Sequence, residues 1–69
     1  MLRIDPEAIR LQREYLGLTQ MTLAVKAGLH VATISHIEAG YTPNPPIRTV
    51  GAIAQALGVA IEAITKSDD

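Results

Sequence analysis

The chain has 69 residues, of which 48% are hydrophobic, with a formal net charge of −1, two histidines and no cysteine. Such a length supports one small core enclosing about 60% of the unfolded surface, and without cysteine neither a disulfide framework nor a thiolate metal site can reinforce it. No apolar run approaches a membrane span, Met1 to Ile4 is too short and interrupted for a signal peptide, and the near-neutral charge argues mildly against nucleic acid.

The expectation is one cytoplasmic domain over residues 1–69, with a core at about 5–66 built from Ala, Ile, Leu and Val, since Trp and Phe are absent. Leu2-Arg3-Ile4 reads as an extended lead-in. Asp5-Pro6-Glu7 then supplies a capping acceptor, a proline suited to the first helical position and an acid near the positive end of the dipole. Helix one starts there, carries Ile9, Arg13 and Leu16 on one face, and stops at Gly17 before Leu18 turns inward. Leu11 and Tyr15, four apart, either cover the domain's flank, the reading favoured here, or mark a contact surface.

Gln20 to Gly40 reads as two short helices joined by a tight turn. Thr19 caps the first by accepting from the amide of Met21 or Thr22, but Thr22 is not the Glu or Gln that completes a capping box. Leu23, Ala24 and Ala27 share one side of this helix, while Ile34 and Ile37 share one side of the next, so the two stripes meet. Gly28 stands where helix two must end in a left-handed conformation, and Ala24 leaves room for helix three to cross close by. His30 occupies the cap position of helix three, and Gly40 stops it. This is the sequence form of a helix-turn-helix, whose second helix can lie in the DNA major groove.

Tyr41-Thr42-Pro43-Asn44-Pro45-Pro46 forms a rigid connector, because its prolines restrict both themselves and the residues before them. Pro46 suits the first turn of helix four, where Val50, Ile53, Ala54 and Leu57 recur on one face until Gly58. Gly51 inside that helix costs roughly 1 kcal/mol relative to Ala, which implies a close neighbour needing the space. Ile61 and Ile64 imply a short fifth helix that lacks a capping side chain at Ala60. Ser67-Asp68-Asp69 reads as a solvated tail, so this end is expected to fray. With no strand pattern in view, the fold class is all-α, five short helices around one core.

Leu18-Thr19-Gln20, Ala24, Gly28 and Thr33-Ile34-Ser35-x-Ile37-Glu38-x-Gly40 resemble the Cro/C1-type (XRE family) helix-turn-helix regulators, over about Ile9 to Ile64. The resemblance implies a lambda-repressor-like DNA-binding domain and a sequence-specific transcriptional regulator of bacterial or phage type. It further implies double-stranded DNA as ligand, a homodimer on an inverted-repeat operator, and no cofactor. Base contacts would come from the first turn and outer stripe of helix three, at His30, Val31, Ala32, Ser35 and His36. None is Arg or Lys, so readout rests on Val31 or Ala32 against thymine methyls and on His36 or Ser35 at a purine edge. For Val31 and Ala32 the alternative is plain helix formation.

Phosphate positioning falls, on the same resemblance, to Gln20 at the start of helix two, with Thr33, Tyr41, Thr42 and Arg48 as further candidates. Tyr41 alternatively covers the end of helix three, and Arg48 alternatively is a solvated first-turn residue. Arg13 and Glu38 match an internal ion pair between helices one and three of related repressors; the alternative is two separate surface charges. Two departures stand out: His30 replaces the family's preferred Ser or Thr cap, and the proline connector runs about one residue long for a loop of this kind.

An enzyme is not expected, for want of a nucleophilic cysteine, a glycine-rich phosphate loop, a metal cluster or a supported Ser-His-acid set. Ser35 and His36 are adjacent on a helix and point in different directions. The competing reading keeps the fold but gives it a protein partner, as an interaction module or an antitoxin-type, restriction-control or plasmid-control regulator. The uncharged outer face of helix three is consistent with it. Val59, Ile61 and Ile64 are the expected apolar contributors to a dimer surface.

Overall fold

The computed structural model describes residues 2–67, for Leu2 the backbone alone, so that Asp68 and Asp69 of the expected tail lie outside the described residues. The order is β1 (Leu2–Ile4), α1 (Pro6–Tyr15), α2 (Gln20–Ala27), α3 (Val31–Glu38), α4 (Ile47–Leu57), a 3-10 turn (Ile61–Ile64) and β2 (Thr65–Ser67). The Asp5 carboxylate accepts from the Ala8 amide at 3.2 Å, and Pro6 fills the first turn where its missing N–H costs nothing. At the far end of α1 the Leu18 amide donates to the Arg13 carbonyl at 3.0 Å, which folds Leu18 back against the core.

Every helical segment contributes at least one fully enclosed large side chain: Ile9 from α1, Leu23 from α2, Ile34 and Ile37 from α3, Ile53 from α4 and Ile64 from the 3-10 turn. Ala24, Val50, Ala54 and Leu57 complete the interior with Ile4. Burial of an Ile or Leu is worth about 1.5–3 kcal/mol, so this aliphatic cluster is the main stabilising term of a chain without staples. α2 packs against both α3 and α4, and α1 closes over α3. No helix among the described residues is long and apolar enough to cross a membrane.

Several expectations change. The fifth helix is a single 3-10 turn, and beyond it the chain is an antiparallel strand whose register sets Leu2 opposite Ser67, Arg3 opposite Lys66 and Ile4 opposite Thr65. As far as Ser67 the end is tied down: Ile64 is fully buried and its carbonyl accepts from the Asp5 amide at 2.8 Å. Three-residue strands are too short for an alternating pattern to register in sequence, and burial of Ile4 extends the core one residue beyond its expected start. Leu11 and Tyr15 do not cover the flank: they are 53% and 86% exposed.

Gly51 has no crowding neighbour, since a Cβ placed there meets nothing within 4 Å. Ile64 belongs to the core, and Val59 and Ile61 lean on it half-buried, so the expected dimer stripe is largely consumed by the fold.

Candidate nucleic-acid interface

The geometry begins at the start of α2. Thr19 accepts from the Thr22 amide at 3.0 Å, and the Thr22 hydroxyl accepts from the Thr19 amide at 2.8 Å. A threonine therefore closes a reciprocal capping box without the longer Glu or Gln that sequence reasoning required. α2 ends at Gly28 with φ +71°, a left-handed turn that a Cβ would strain, and the Leu29 amide donates back to the Ala24 carbonyl at 2.9 Å. The turn sends the chain into α3, whose first residue follows His30; that imidazole makes no side-chain cap.

α3 has two unlike faces. Ile34 and Ile37 are enclosed, whereas His30, Val31, Ala32 and His36 are exposed and Thr33 and Ser35 half-buried. The outer stripe thus holds His30, Val31, Ala32, Ser35 and His36 on a single short helix. Past Gly40 the Tyr41 amide donates to the His36 carbonyl at 2.9 Å, and the Tyr41 ring lies 5.9 Å from the His36 ring, tilted by 51°. Tyr41 is nevertheless 77% exposed, extending the outer face of α3 more than capping its end. Thr42 follows half-buried, and Arg48 stands exposed in the first turn of α4.

A polar clamp holds α3 from behind. Arg13 Nε donates to Glu38 Oε2 at 2.7 Å and Arg13 Nη2 to Glu38 Oε1 at 3.0 Å, while Nη1 donates to the Leu18 carbonyl at 2.9 Å. The two side chains are only 12% and 5% exposed. The hydrogen bond to Glu38 raises the Arg13 pKa above its ordinary value against the opposing effect of burial, keeping the guanidinium charged. Gln20 Nε2 donates to Glu38 Oε1 at 3.1 Å, so the side chain assigned to phosphate is engaged inside the clamp. Sequence reasoning missed this third member and the Leu18 carbonyl; the available signal was a polar residue opening α2 where α1 and α3 converge.

The remaining cations divide sharply. Arg10 lies 3.4 Å from both Glu7 and Glu14 along the outer side of α1, whereas Lys26 and Arg48 make no ion pair among the described residues. No group of three or more His, Cys, Asp or Glu among the described residues is placed to hold a metal ion.

Two helices joined by a left-handed turn, the second buried on one side and open on the other, define a helix-turn-helix domain. The chain belongs to the helix-turn-helix (HTH_3, XRE-type) family of DNA-binding transcriptional regulators, whose profile matches residues 9–64. Among solved structures, it is similar to the restriction-modification controller protein C.AhdI from Aeromonas hydrophila, at 28% identity over 84% of this chain and 86% of that one, with a TM-score of 0.79. An HTH_3 family transcriptional regulator from Vibrio cholerae matches at 28% identity and a TM-score of 0.76, over 84% of this chain but 32% of its own. The hydroxypropylphosphonic acid epoxidase from S. wedmorenis matches at 28% identity and a TM-score of 0.78, over 88% of this chain and 32% of the enzyme. The chain therefore spans most of the controller protein and about a third of the other two. No curated protein matches it in sequence.

Proposed function

We propose that residues 1–69 act in the cytoplasm as one helix-turn-helix unit that binds an inverted-repeat operator as a homodimer, with α3 in the major groove. The carrying observation is the division of α3 into an enclosed Ile34/Ile37 side and an open side bearing His30, Val31, Ala32, Ser35 and His36. On that open side Val31 and Ala32 suit thymine methyls, and His36 and Ser35 suit a purine edge. Thr33, Tyr41, Thr42 and Arg48 flank it as phosphate contacts. Gln20 retains a second amide hydrogen and the α2 N-terminus for an anion while its first hydrogen holds Glu38. The Arg13–Glu38 pair is architectural in this reading, fixing the angle at which α3 is presented.

The likeness to a restriction-modification controller over most of both chains supports a control role of that type. The epoxidase likeness supports no catalytic role, because it spans about a third of that enzyme and coincides with the residues matching the DNA-binding family. A second reading, a helix-turn-helix fold that docks a protein, is favoured by one observation: Tyr15, Val25 and Ile47 are each more than 70% exposed on a chain of net charge −1.

The deciding experiment selects bound sequences from a random duplex pool at moderate salt. Enrichment of an inverted repeat with half-sites about 10 base pairs apart is the expected result, since protein two-fold symmetry is mirrored in the site. Enrichment of unrelated direct repeats, or sedimentation of one subunit per best site, overturns the dimer; no enrichment favours the protein-docking reading.

A further inference from the structure

The C-terminal end of α3 is a closed turn that sets one ring beside another. Gly40, at φ +85°, reverses the chain; its amide donates to the Ile37 carbonyl at 3.1 Å, and the Tyr41 amide donates to the His36 carbonyl at 2.9 Å. Those two bonds are the Schellman ending of a helix, in which the residue after the glycine packs on a side chain of the last turn. Here that contact joins Tyr41 to His36. Their ring centroids lie 5.9 Å apart at a tilt of 51°, inside the range of about 4.5–7 Å over which aromatic pairs attract.

The core asks for neither ring. His36 is exposed, Tyr41 is 77% exposed, and the inner side of α3 is filled by Ile34 and Ile37. No hydrogen bond or ion pair among the described residues restrains the His36 imidazole; its interaction is the one with Tyr41. The outer torsion of a histidine is broad and roughly two-fold, and turning it exchanges a donor nitrogen, an acceptor nitrogen and the C–H edges of the ring. Bases in the major groove differ in their pattern of donors and acceptors, so the orientation of an imidazole decides which base it suits.

From this juxtaposition we infer that Tyr41 is a positioning residue for base readout: its ring, locked beside His36 by the turn at Gly40, fixes the imidazole in the orientation that meets the purine edge. The inference rests on the DNA-binding reading with His36 as a base contact, and it gives Tyr41 a role separate from any phosphate contact of its hydroxyl. Tyr41 meets no base in this role and acts through His36. Ordering the imidazole before DNA arrives removes an entropic cost from binding, and the gain appears only at the base pair whose donors and acceptors match.

The test is a double-mutant cycle on the selected operator duplex and its single-base variants, using the whole chain. His36→Ala locates the base pair that His36 reads, as the position whose preference relaxes. An aromatic pair is worth about 2- to 12-fold in an equilibrium constant beyond the area it buries, so Tyr41→Ala should relax preference at that same base pair by about 2- to 12-fold and leave the other positions alone. In the His36→Ala background, Tyr41→Ala should change the preference no further. Tyr41→Phe keeps the ring and should keep the parent preference, whatever uniform affinity the lost hydroxyl removes. Both positions are exposed, so the melting temperatures of these proteins should stay close to the parent's.

A Tyr41→Ala protein that binds every variant more weakly by the same factor overturns the inference, as does one whose full effect persists in the His36→Ala background. Loss of the preference in Tyr41→Phe overturns it too, because the hydroxyl and not the ring would then be acting; each of these results leaves the proposed function standing. A His36→Ala protein that relaxes no base preference removes the readout that Tyr41 would position, and the inference fails while DNA binding stands. A parent that selects no duplex overturns both.

Discussion

At Glu38 a carboxylate 5% exposed satisfies donors from two elements at once, the Arg13 guanidinium and the Gln20 amide. Removing it strands the guanidinium in a site 12% exposed, and such half-removals cost roughly 3–5 kcal/mol. A domain of this size is stable by only about 5–15 kcal/mol, so Glu38→Ala should melt far below the parent or fail to fold. Replacing both partners, Arg13→Met with Glu38→Leu, should restore much of the loss because no buried charge is left unpaired. Thermal melting followed by circular dichroism checks both; a Glu38→Ala melt within a degree or two of the parent would mean the pair carries no weight. Gly51 is the opposite case. With helical backbone and no atom within 4 Å of an added Cβ, Gly51→Ala should stabilise by about 1 kcal/mol and raise the melting temperature by about 4–8 °C. At Gly28 the same methyl would sit at φ +71° and should destabilise by about 1–2 kcal/mol.

Among the elements, α3 separates stability from recognition by face. Ile34→Ala empties a fully enclosed site and should cost about 2–5 kcal/mol, whereas His36→Ala and Val31→Ala touch exposed positions and should leave the melting temperature nearly unchanged. On the selected operator, however, each outward replacement should relax preference at one base position by about 1–3 kcal/mol. Competition binding against single-base operator variants measures this; loss of affinity spread evenly over all variants would place the residue on phosphate instead. The paired strands have their own signature. Ile4 is 3% exposed and its amide bonds the Pro43 carbonyl, while the Asp5 amide bonds Ile64. Those two amides should exchange slowly with deuterium, in the range of the core helices, and Ile4→Ala should cost about 2–5 kcal/mol. Exchange at the rate of a free chain end would show that β1 and β2 separate in solution.

For the molecule as a whole, the net charge of −1 conceals a segregated distribution. Glu7 and Glu14 pair with Arg10 and Glu38 with Arg13, while Lys26 and Arg48 make no ion pair among the described residues. Electrostatic affinity for DNA depends on how many phosphates are met by cations, and net charge is a poor guide to that number. Apolar exposure is likewise redistributed: Ile64 is withdrawn into the core, and the large side chains left outside are Leu11, Tyr15, Leu16, Met21, Val25, Val31, Tyr41 and Ile47. A subunit interface, if the operator-bound dimer forms as proposed, should therefore be disrupted by a charge at one of these exposed sites. Sedimentation of Ile47→Lys and Tyr15→Lys on the selected duplex reports which site carries it.

Sequence by itself determined what local chemistry specifies. Asp5-Pro6 starts α1, Gly28 ends α2, and the spacing of Leu23, Ala24, Ile34 and Ile37 makes two helices cross with α3 outermost; each rests on backbone preference or periodicity within a few residues. Tertiary structure decided what depends on partners distant in the chain. Gln20 turns toward Glu38, eighteen residues away, because α1 and α3 have already fixed the carboxylate there. Leu2–Ile4 and Thr65–Ser67 become strands only by finding each other across the whole chain. Three residues carry too little periodicity to announce a strand, and pairing supplies what propensity lacks.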